Sequence, residues 1–288
     1  YRPVRSRQFA LQPRCVTRCL MEFTLACSRA RRLESSLGNI QSMTSKPALP
    51  GSPVALVTGA AGGLGRAAVA KLRERGMRVF AADRALAEIP CGAPVAVMSM
   101  DVTDEAAVVA CIDRVLDDWG RLDHVIHLAG CAGAGPLTSV TREEWQRVID
   151  TNLTSAFLLA KAAHGAPKAT RGSLILTAST NGLNGGSSLS GPAYAVAKAG
   201  LINLTRYLAK EWAPEGIRVN CLAPGPIDTP MVTGRFSSEV LTALQASVPL
   251  GRIGDPKDVA HAIDYLTSPA ASFVTGTVMN LSGGLLLD

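Results

Sequence analysis

The chain has 288 residues, of which 47% are hydrophobic and only 5% aromatic, so it can bury a large aliphatic core. The net charge of +6 arises from residues 1–46, which hold eight Arg and one Lys against two Glu, while the remainder is close to neutral. The globular part therefore gives no electrostatic sign of nucleic-acid binding, and no apolar run reaches the ~18 residues that a membrane span needs.

Seven cysteines are dispersed along the chain, and none has CxxC spacing or metal-ligand spacing with the four histidines. We expect no bound metal. Dispersed cysteines also favour a reducing compartment, which we take to be the cytoplasm.

Residues 1–50 form a predicted N-terminal extension, disordered or transit-like, because they are Arg-rich and acid-poor and show no clear strand or helix period. The chain starts at Tyr1, so its start is either processed or that of a fragment. One interpretation is a transit peptide for a mitochondrion or another organelle. The other, favoured by the position of Met43 just before the domain, is a non-functional extension upstream of a start at Met21 or Met43. Whether residues 1–42 belong to the mature protein stays open.

From Pro53 onward, short apolar runs alternate with longer segments whose apolar residues recur with the period of a helix. Strands are predicted at 54–57, 78–82, 95–100, 123–129, 173–179, 217–222 and 277–281. Helices are predicted at 64–75, 104–119, 141–163, 192–212, 237–246 and 256–267. This alternation predicts an α/β fold, a doubly wound parallel sheet of the Rossmann type, as one domain over residues 51–288.

The first strand runs into a glycine-rich turn with G-x-x-x-G-x-G spacing. Gly59 permits a tight turn, Gly63 lets backbone N–H groups approach a pyrophosphate, and Gly65 lets the helix pack near the strand. The following helix N-terminus, which includes Leu64, presents unpaired N–H groups to the anion. Because the turn follows a strand and opens a helix, we expect it to bind a dinucleotide.

An acid stands at the end of the second strand. The Asp83 carboxylate would accept bonds from the ribose diol and repel a 2′-phosphate, which favours NAD over NADP. Arg84 follows directly and could soften this preference; alternatively, Asp83 caps a turn. Asp101 and Val102, after the third strand, would touch the adenine, unless they form a solvated turn.

Tyr194 and Lys198 are four residues apart in a predicted helix, so they share one face. An ammonium beside a phenol favours the phenolate and lowers the pKa of the tyrosine, which allows proton exchange with an alcohol or ketone near neutral pH. Ser179 ends an apolar strand at the edge of the sheet where ligands bind, and its hydroxyl could hydrogen-bond the substrate oxygen.

In family order, these motifs make the chain resemble the short-chain dehydrogenases/reductases, and most closely the 3-oxoacyl-carrier-protein reductase group. The resemblance covers about 53–284. It rests on 58–65, Asp83, Asp101-Val102, Asn152-Leu153 with Phe157, Ser179, Tyr194 with Lys198, Asn220 with Pro224-Gly225, Thr229, and 251–284.

The resemblance implies a role for each catalytic position. Tyr194 would be the general acid/base, and Lys198 would tune it and hold the nicotinamide ribose. Ser179 would orient the substrate oxygen. Asn152 would anchor a water in a proton relay behind Lys198; alternatively, it caps a helix.

The resemblance also implies further contacts and an assembly. Ala129 and Gly130 would pack against the cofactor. Pro224, Gly225, Ile227 and Thr229 would line the nicotinamide, although Thr229 could instead make a local turn bond. The helices near 152–163 and 192–212 would form the interface of a homodimer or homotetramer. Residues 231–249 would form a substrate lid, unless their apolar side chains form the packed face of one helix.

Two departures from the family pattern stand out. The fourth strand ends in His127-Leu128-Ala129-Gly130 where the family has Asn-Asn-Ala-Gly, which puts local stability in doubt; we interpret His127 as a hydrogen-bonded structural residue. Ser179 and Tyr194 are fifteen residues apart rather than thirteen. A shifted alignment would put Asn181 at the serine position, but Ser179 ends the apolar strand.

The predicted function is hydride transfer between NAD(H) and a small-molecule secondary alcohol or ketone, without membrane or nucleic-acid partners. Two alternatives remain open. One is an NADPH-dependent 3-oxoacyl-thioester ketoreductase, which shares every catalytic residue. The other is a cofactor-sensing or scaffold protein without turnover, which a degraded Ser, Tyr or Lys would indicate.

Overall fold

A computed structural model describes residues 51–89, 92 and 94–287 of the chain. The N-terminal extension predicted over residues 1–50 lies outside these described residues. The strands of the described part are β1 (Val54–Thr58), β2 (Arg78–Asp83), β3 (Val95–Ser99), β4 (His124–His127), β5 (Ser173–Thr177), β6 (Arg218–Pro224) and β7 (Val278–Leu281).

The helices follow the strands in alternation, as predicted. They are α1 (Gly63–Glu74), α2 (Glu105–Trp119), α3 (Arg142–Ile149), α4 (Ser155–Ala163), α5 (Gly165–Thr170), α6 (Asn181–Asn184), α7 (Pro192–Trp212), α8 (Pro230–Thr233), α9 (Ser238–Ser247) and α10 (Pro256–Leu266).

The strands form one parallel sheet in the order β3-β2-β1-β4-β5-β6-β7. The predicted doubly wound sheet is therefore confirmed. The strand order reverses between β1 and β4, which pair in register from Ala55 with His124 to Thr58 with His127. In such sheets the ligand crevice lies outside the carboxyl ends of the strands at this reversal.

Helices cover both faces of the sheet, which explains the continuous apolar strands. Every residue of β1, β4 and β5 is buried, as expected for central parallel strands. On one face, α1 and α10 pack through Leu72 and Ile263. On the other, α2, α4 and α7 pack through Ile112, Leu159 and Leu201.

The predicted helix at 141–163 is interrupted in the structure. It consists of α3 and α4 joined by a π-helical turn, Asp150–Thr154. Such turns occur often at functional sites, and this one contains Asn152. The stretch between Ser179 and Tyr194 begins with the short helix α6, which was not predicted.

No helix among residues 51–89, 92 and 94–287 combines the length and apolarity required to cross a membrane.

Candidate active site

Two adjoining cavities lie at the carboxyl edge of the sheet. The larger has a volume of about 790 Å³ and the smaller about 100 Å³. All of the predicted site residues line one or both of them. The larger cavity contains Gly59, Gly63, Leu64, Gly65, Asp83, Asp101, Val102, Ala129, Gly130 and Thr229. The smaller contains Asn152, Ser179, Tyr194, Lys198, Pro224, Gly225 and Ile227, and shares Leu64, Gly130 and Thr229.

The glycine-rich turn leaves no room for side chains. Gly59 has φ +68°, and a Cβ there would stand 2.5 Å from the Ala129 backbone nitrogen. A Cβ on Gly65 would stand 2.1 Å from the Gly59 carbonyl oxygen. Gly62 is the N-cap of α1 and offers no side-chain cap, so the first N–H groups of the helix remain available to an anion.

The acid after β2 is held by the backbone rather than by a cation. Asp83 accepts hydrogen bonds from the N–H groups of Ala61 (3.0 Å) and Ala85 (3.1 Å). Arg84 instead pairs with Asp101, at 3.7 Å between Nη1 and Oδ2. The negative charge of Asp83 therefore faces the larger cavity without a salt bridge among the described residues.

The opposite wall of the larger cavity was not predicted. It is formed by one face of α3 and the π-helical turn, with Arg147, Asp150, Thr151 and Thr154. Their spacing of three, one and three residues is that of a single helix face. Polar residues at this spacing around Asn152 are a sequence signal that could have identified this wall.

Ser179 and Tyr194 meet in the smaller cavity. Ser179 is buried, and its hydroxyl lies 3.4 Å from the Pro224 carbonyl. It lines the same cavity as Tyr194 and is one of the influences that lower the pKa of the phenol. Asn181, the alternative at this position, instead donates from Nδ2 to the Ser190 hydroxyl at 2.8 Å. The geometry therefore favours Ser179 as the partner of the substrate oxygen.

Lys198 is buried behind Tyr194. Its Nζ donates to the Thr177 carbonyl (2.7 Å) and lies 5.4 Å from the centre of the tyrosine ring. Burial lowers the pKa of Lys198 to about 8, so the ammonium form still predominates at pH 7.

The predicted lowering of the Tyr194 pKa is wrong for this structure. Burial raises the pKa of Tyr194, and this outweighs the opposing effects of the Ser179 hydrogen bond and the Arg235 charge. The ammonium of Lys198 is directed at the Thr177 carbonyl rather than at the phenol oxygen. The phenol is therefore protonated at neutral pH, which is the form that donates to a ketone.

Asn152 projects from the π-helical turn towards Lys198. Its Nδ2 donates to the carbonyls of Val148 and Cys131, both at 2.8 Å. Its Oδ1 is buried and has no hydrogen-bond partner among the described residues. This oxygen lies 2.7 Å from the point that a Cβ on Gly130 would occupy, and the Lys198 Nζ lies 3.5 Å from the same point. Asn152 thus offers an acceptor beside the ammonium, as the proton relay requires.

The end of β6 and the segment after it line the smaller cavity. Pro224 and Gly225 lie at the end of the strand, and Ile227 is buried. The Thr229 hydroxyl bonds the Ile227 carbonyl at 3.3 Å, so the local turn bond that was the alternative does form. Thr229 still lines both cavities.

His127 connects the two halves of the site through a buried hydrogen-bond chain. Nδ1 lies 2.8 Å from the Thr58 hydroxyl and Nε2 lies 3.0 Å from the Ser155 hydroxyl. Because Ser155 donates its proton to the Thr151 carbonyl, Nε2 must donate to Ser155 and Nδ1 must accept. Burial, and then the charge of Lys198, lower the pKa of His127 to about 3, so it is a neutral structural bridge.

The residues present fit a dinucleotide. The larger cavity is bordered by a turn whose glycines leave backbone N–H groups accessible, by a helix N-terminus without a side-chain cap, and by the Asp83 carboxylate. Within the described part of the chain, no group of three or more His, Cys, Asp or Glu side chains is placed to bind a metal ion.

Comparisons with known proteins agree with this geometry. The family model described as Enoyl-(Acyl carrier protein) reductase matches residues 59–286. The 3-oxoacyl-acyl-carrier-protein reductase of Vibrio cholerae is 37% identical over 240 residues, which are 81% of this chain and 97% of the relative. The cis-4-hydroxycyclohexanecarboxylate dehydrogenase of Sinomonas cyclohexanicum is 40% identical over 242 residues, which are 80% and 95%.

A solved structure shares the same architecture. The ligand-free aldohexose dehydrogenase of Thermoplasma acidophilum superposes with a TM-score of 0.75 at 30% identity, over 81% of this chain and 94% of that one. This protein is therefore an oxidoreductase that acts on secondary alcohols or ketones with a nicotinamide cofactor, and the chain belongs to the short-chain dehydrogenase/reductase family.

Proposed function

We propose that the chain interconverts a small-molecule secondary alcohol and its ketone, with Tyr194 as the general acid/base and NAD(H) as the preferred cofactor. One observation carries the proposal: Ser179, Tyr194, Lys198 and Asn152 line one cavity that adjoins the dinucleotide-sized cavity. The cofactor supplies the hydride acceptor or donor.

The residues of the chain divide the remaining chemistry. Ser179 orients the substrate oxygen, and the Tyr194 phenol donates a proton to a ketone or, as phenolate, removes one from an alcohol. Lys198 holds a positive charge behind the tyrosine and provides a donor for the cofactor ribose. The free Oδ1 of Asn152 accepts from a water that links Lys198 to solvent.

The cofactor is held by the remaining predicted residues. The backbone of Gly59, Gly63, Leu64 and Gly65 would bind the pyrophosphate. Asp83 would accept from the ribose hydroxyls, and Ala129 and Gly130 would pack against the cofactor. The adenine would meet Asp101 and Val102, and the nicotinamide would meet Pro224, Gly225, Ile227 and Thr229.

We expect kcat/KM with NAD to exceed kcat/KM with NADP by about tenfold or more. Asp83 has no balancing cation and would repel a 2′-phosphate by roughly 1–4 kcal/mol, depending on solvent screening. The Asp83→Asn variant keeps an acceptor for the Ala61 N–H and removes the charge, so the ratio should fall at least about fivefold. Initial rates at the nicotinamide absorbance, over a panel of alcohols and ketones, measure both ratios.

Asp118→Asn is the matched control, because Asp118 is paired with Arg114 on α2 and lies outside both cavities. It should leave the ratio unchanged. The assignment of Asp83 as the residue that selects NAD would be refuted if the unaltered protein preferred NADP. It would also be refuted if Asp83→Asn kept the NAD-to-NADP ratio of the unaltered protein.

The second candidate is an NADPH-dependent 3-oxoacyl-thioester ketoreductase. It is supported by the similarity to the Vibrio cholerae reductase, whose name specifies a 3-oxoacyl group on a carrier protein. Arg84 is 76% exposed in its side chain and could turn from Asp101 towards a 2′-phosphate. The same rate comparison separates the two candidates, since this one requires NADPH to be the better cofactor.

We also propose a homodimer or homotetramer, which the family resemblance implies. Large apolar side chains are exposed on the two helices expected at the interface, with Phe157 on α4 and Val196 and Tyr207 on α7. Sedimentation velocity should give two or four times the 30.0 kDa mass of the chain. A monomer at micromolar concentration would contradict this.

For location, we retain the cytoplasm as the proposal, or an organelle if residues 1–50 are a transit peptide. Cys111, Cys131 and Cys221 are free thiols, which agrees with a reducing compartment. N-terminal sequencing of the native protein would show whether residues 1–42 are retained.

A further inference from the structure

An arginine that the mechanism above does not use lies next to the segment that lines the catalytic cavity. Arg235 follows α8, and its backbone N–H donates to the Val232 carbonyl at 3.2 Å. Met231 and Val232, on the preceding turn, line the cavity that contains Tyr194. Arg235 therefore belongs to the segment that forms one rim of the substrate space.

The guanidinium of Arg235 reaches the opposite rim. Its Nη2 donates to the Gly133 carbonyl at 2.9 Å. Gly133 lies against Ser190, whose carbonyl oxygen is 3.2 Å from the point that a Cβ on Gly133 would occupy. Since α7 and Tyr194 begin just after Ser190, the guanidinium lies beside the entrance to the catalytic tyrosine. The Arg235 charge also acts on Tyr194 itself, as one of the influences that lower its pKa.

The positive charge at this rim forms no salt bridge with the described residues, although it is one of the charges that lower the pKa of Glu144. Glu144 lies beside the same glycine, but both of its oxygens accept from Arg147 at 2.8 Å. Among the described residues, Arg235 forms no salt bridge, and the bond to Gly133 is the one hydrogen bond of its side chain. A guanidinium has five N–H donors, so several remain open to a ligand.

We propose that Arg235 binds a carboxylate of the substrate, so that the natural substrate is a secondary alcohol or ketone that also carries a carboxylate. The planar fork of a guanidinium matches a carboxylate and forms charge-assisted hydrogen bonds with it. This inference rests on the proposed function, because it assigns a substrate class to the same site.

If Arg235 served only to hold the segment after α8 against Gly133, its replacement would affect ligand binding differently. Glutamine at 235 can still donate to the Gly133 carbonyl but carries no charge, whereas lysine keeps the charge and loses the fork. Loss of this structural contact would weaken the binding of charged and neutral ligands alike. Loss of a carboxylate site weakens the charged ligands alone.

The test is a calorimetric titration of the enzyme saturated with NAD. The probes are 4-oxopentanoate and 5-oxohexanoate, each paired with its uncharged primary amide. A ketone cannot react with the oxidised cofactor, so the dissociation constants report binding without turnover. Two chain lengths are used because the proposal does not fix the distance between the reacting carbon and the carboxylate.

For the better chain length, we expect the unaltered protein to bind the carboxylate about tenfold more tightly than the amide, as a charge-assisted pair would. Arg235→Gln should abolish this preference while changing amide binding by less than about twofold, and Arg235→Lys should retain part of it. Arg114→Gln, on the remote helix α2, should behave like the unaltered protein.

The proposal is overturned if the unaltered protein shows no preference or binds neither probe, or if the preference survives in Arg235→Gln. It is also overturned if that variant weakens acid and amide equally. Failure of the proposed function would look different: no alcohol or ketone would be turned over with either cofactor, while the binding preference could persist.

Discussion

Replacing Gly65 with alanine is expected to raise the dissociation constant for NAD by about 100-fold, equivalent to losing one or two charge-assisted hydrogen bonds. The new Cβ would stand 2.1 Å from the Gly59 carbonyl oxygen and 2.6 Å from the Ala60 Cα. Both atoms belong to the backbone of the turn, so a side-chain rotation cannot relieve the clash. The turn must move, and its N–H groups would lose their alignment with a pyrophosphate.

Such overpacking should also cost roughly 1–3 kcal/mol of folding stability. Calorimetric titration with NAD and urea unfolding measure the two effects separately. The expected result is a folded but less stable protein that binds NAD weakly.

Gly165→Ala is the matched control. Gly165 also opens a helix, α5, and a Cβ there would meet no atom within 4 Å. That variant should bind NAD normally and be as stable as the unaltered protein or slightly more so, since alanine favours helix. If Gly65→Ala bound NAD within about threefold of the unaltered protein, the close approach of turn and cofactor would be the wrong explanation.

Those parts of the molecule that depend on local chain properties were predicted well from the sequence. The buried runs of β1, β4 and β5 and the helical periods between them are sufficient to define the parallel sheet. Gly59 and Gly65 occupy positions where the neighbouring backbone leaves no room for a side chain, so the spacing of the glycines identifies these positions directly. Ser179 was found because the carboxyl ends of parallel strands converge at one edge, and Tyr194 because its i, i+4 spacing with Lys198 places both on one helix face.

Features that depend on tertiary packing were missed. The wall containing Arg147 and Thr151 combines α3 with the π-helical turn after Ile149, and the helix predicted over 141–163 did not anticipate that turn. Arg235 acquires a role only because its side chain reaches Gly133, 102 residues away in sequence.

His127 shows how a departure from a family pattern can be accommodated. The sequence raised doubt about local stability, since a side-chain amide was missing. In the structure, the imidazole bonds Thr58 next to the glycine-rich turn and Ser155 next to the π-helical turn. One ring thus connects β1 with the helix pair that carries Asn152.

The pKa of Tyr194 shows the opposite case, where a local rule gave the wrong sign. The i, i+4 spacing with Lys198 is real, but the cost of desolvating a phenolate depends on burial by distant elements. Burial raises the pKa of the phenol, and this result is outside the reach of sequence spacing.

The central claim is that Tyr194 exchanges the proton of the substrate oxygen, and Tyr194→Phe tests it most directly. Phenylalanine preserves the ring that packs near Lys198 and removes only the phenolic hydroxyl. General acid/base catalysis contributes roughly 10²–10⁴-fold, so kcat should fall by about that factor. The dissociation constant for NAD should change by less than about threefold, because the cofactor contacts lie elsewhere.

Tyr207→Phe is the control, since Tyr207 is on the same helix but its hydroxyl contacts Glu211 on the protein surface. The measurement is kcat at the nicotinamide absorbance, with NAD binding determined in parallel for both variants. The account predicts a loss of at least about 100-fold in kcat for Tyr194→Phe with NAD binding intact, and unchanged values for Tyr207→Phe. A Tyr194→Phe enzyme with kcat near that of the unaltered protein would contradict it.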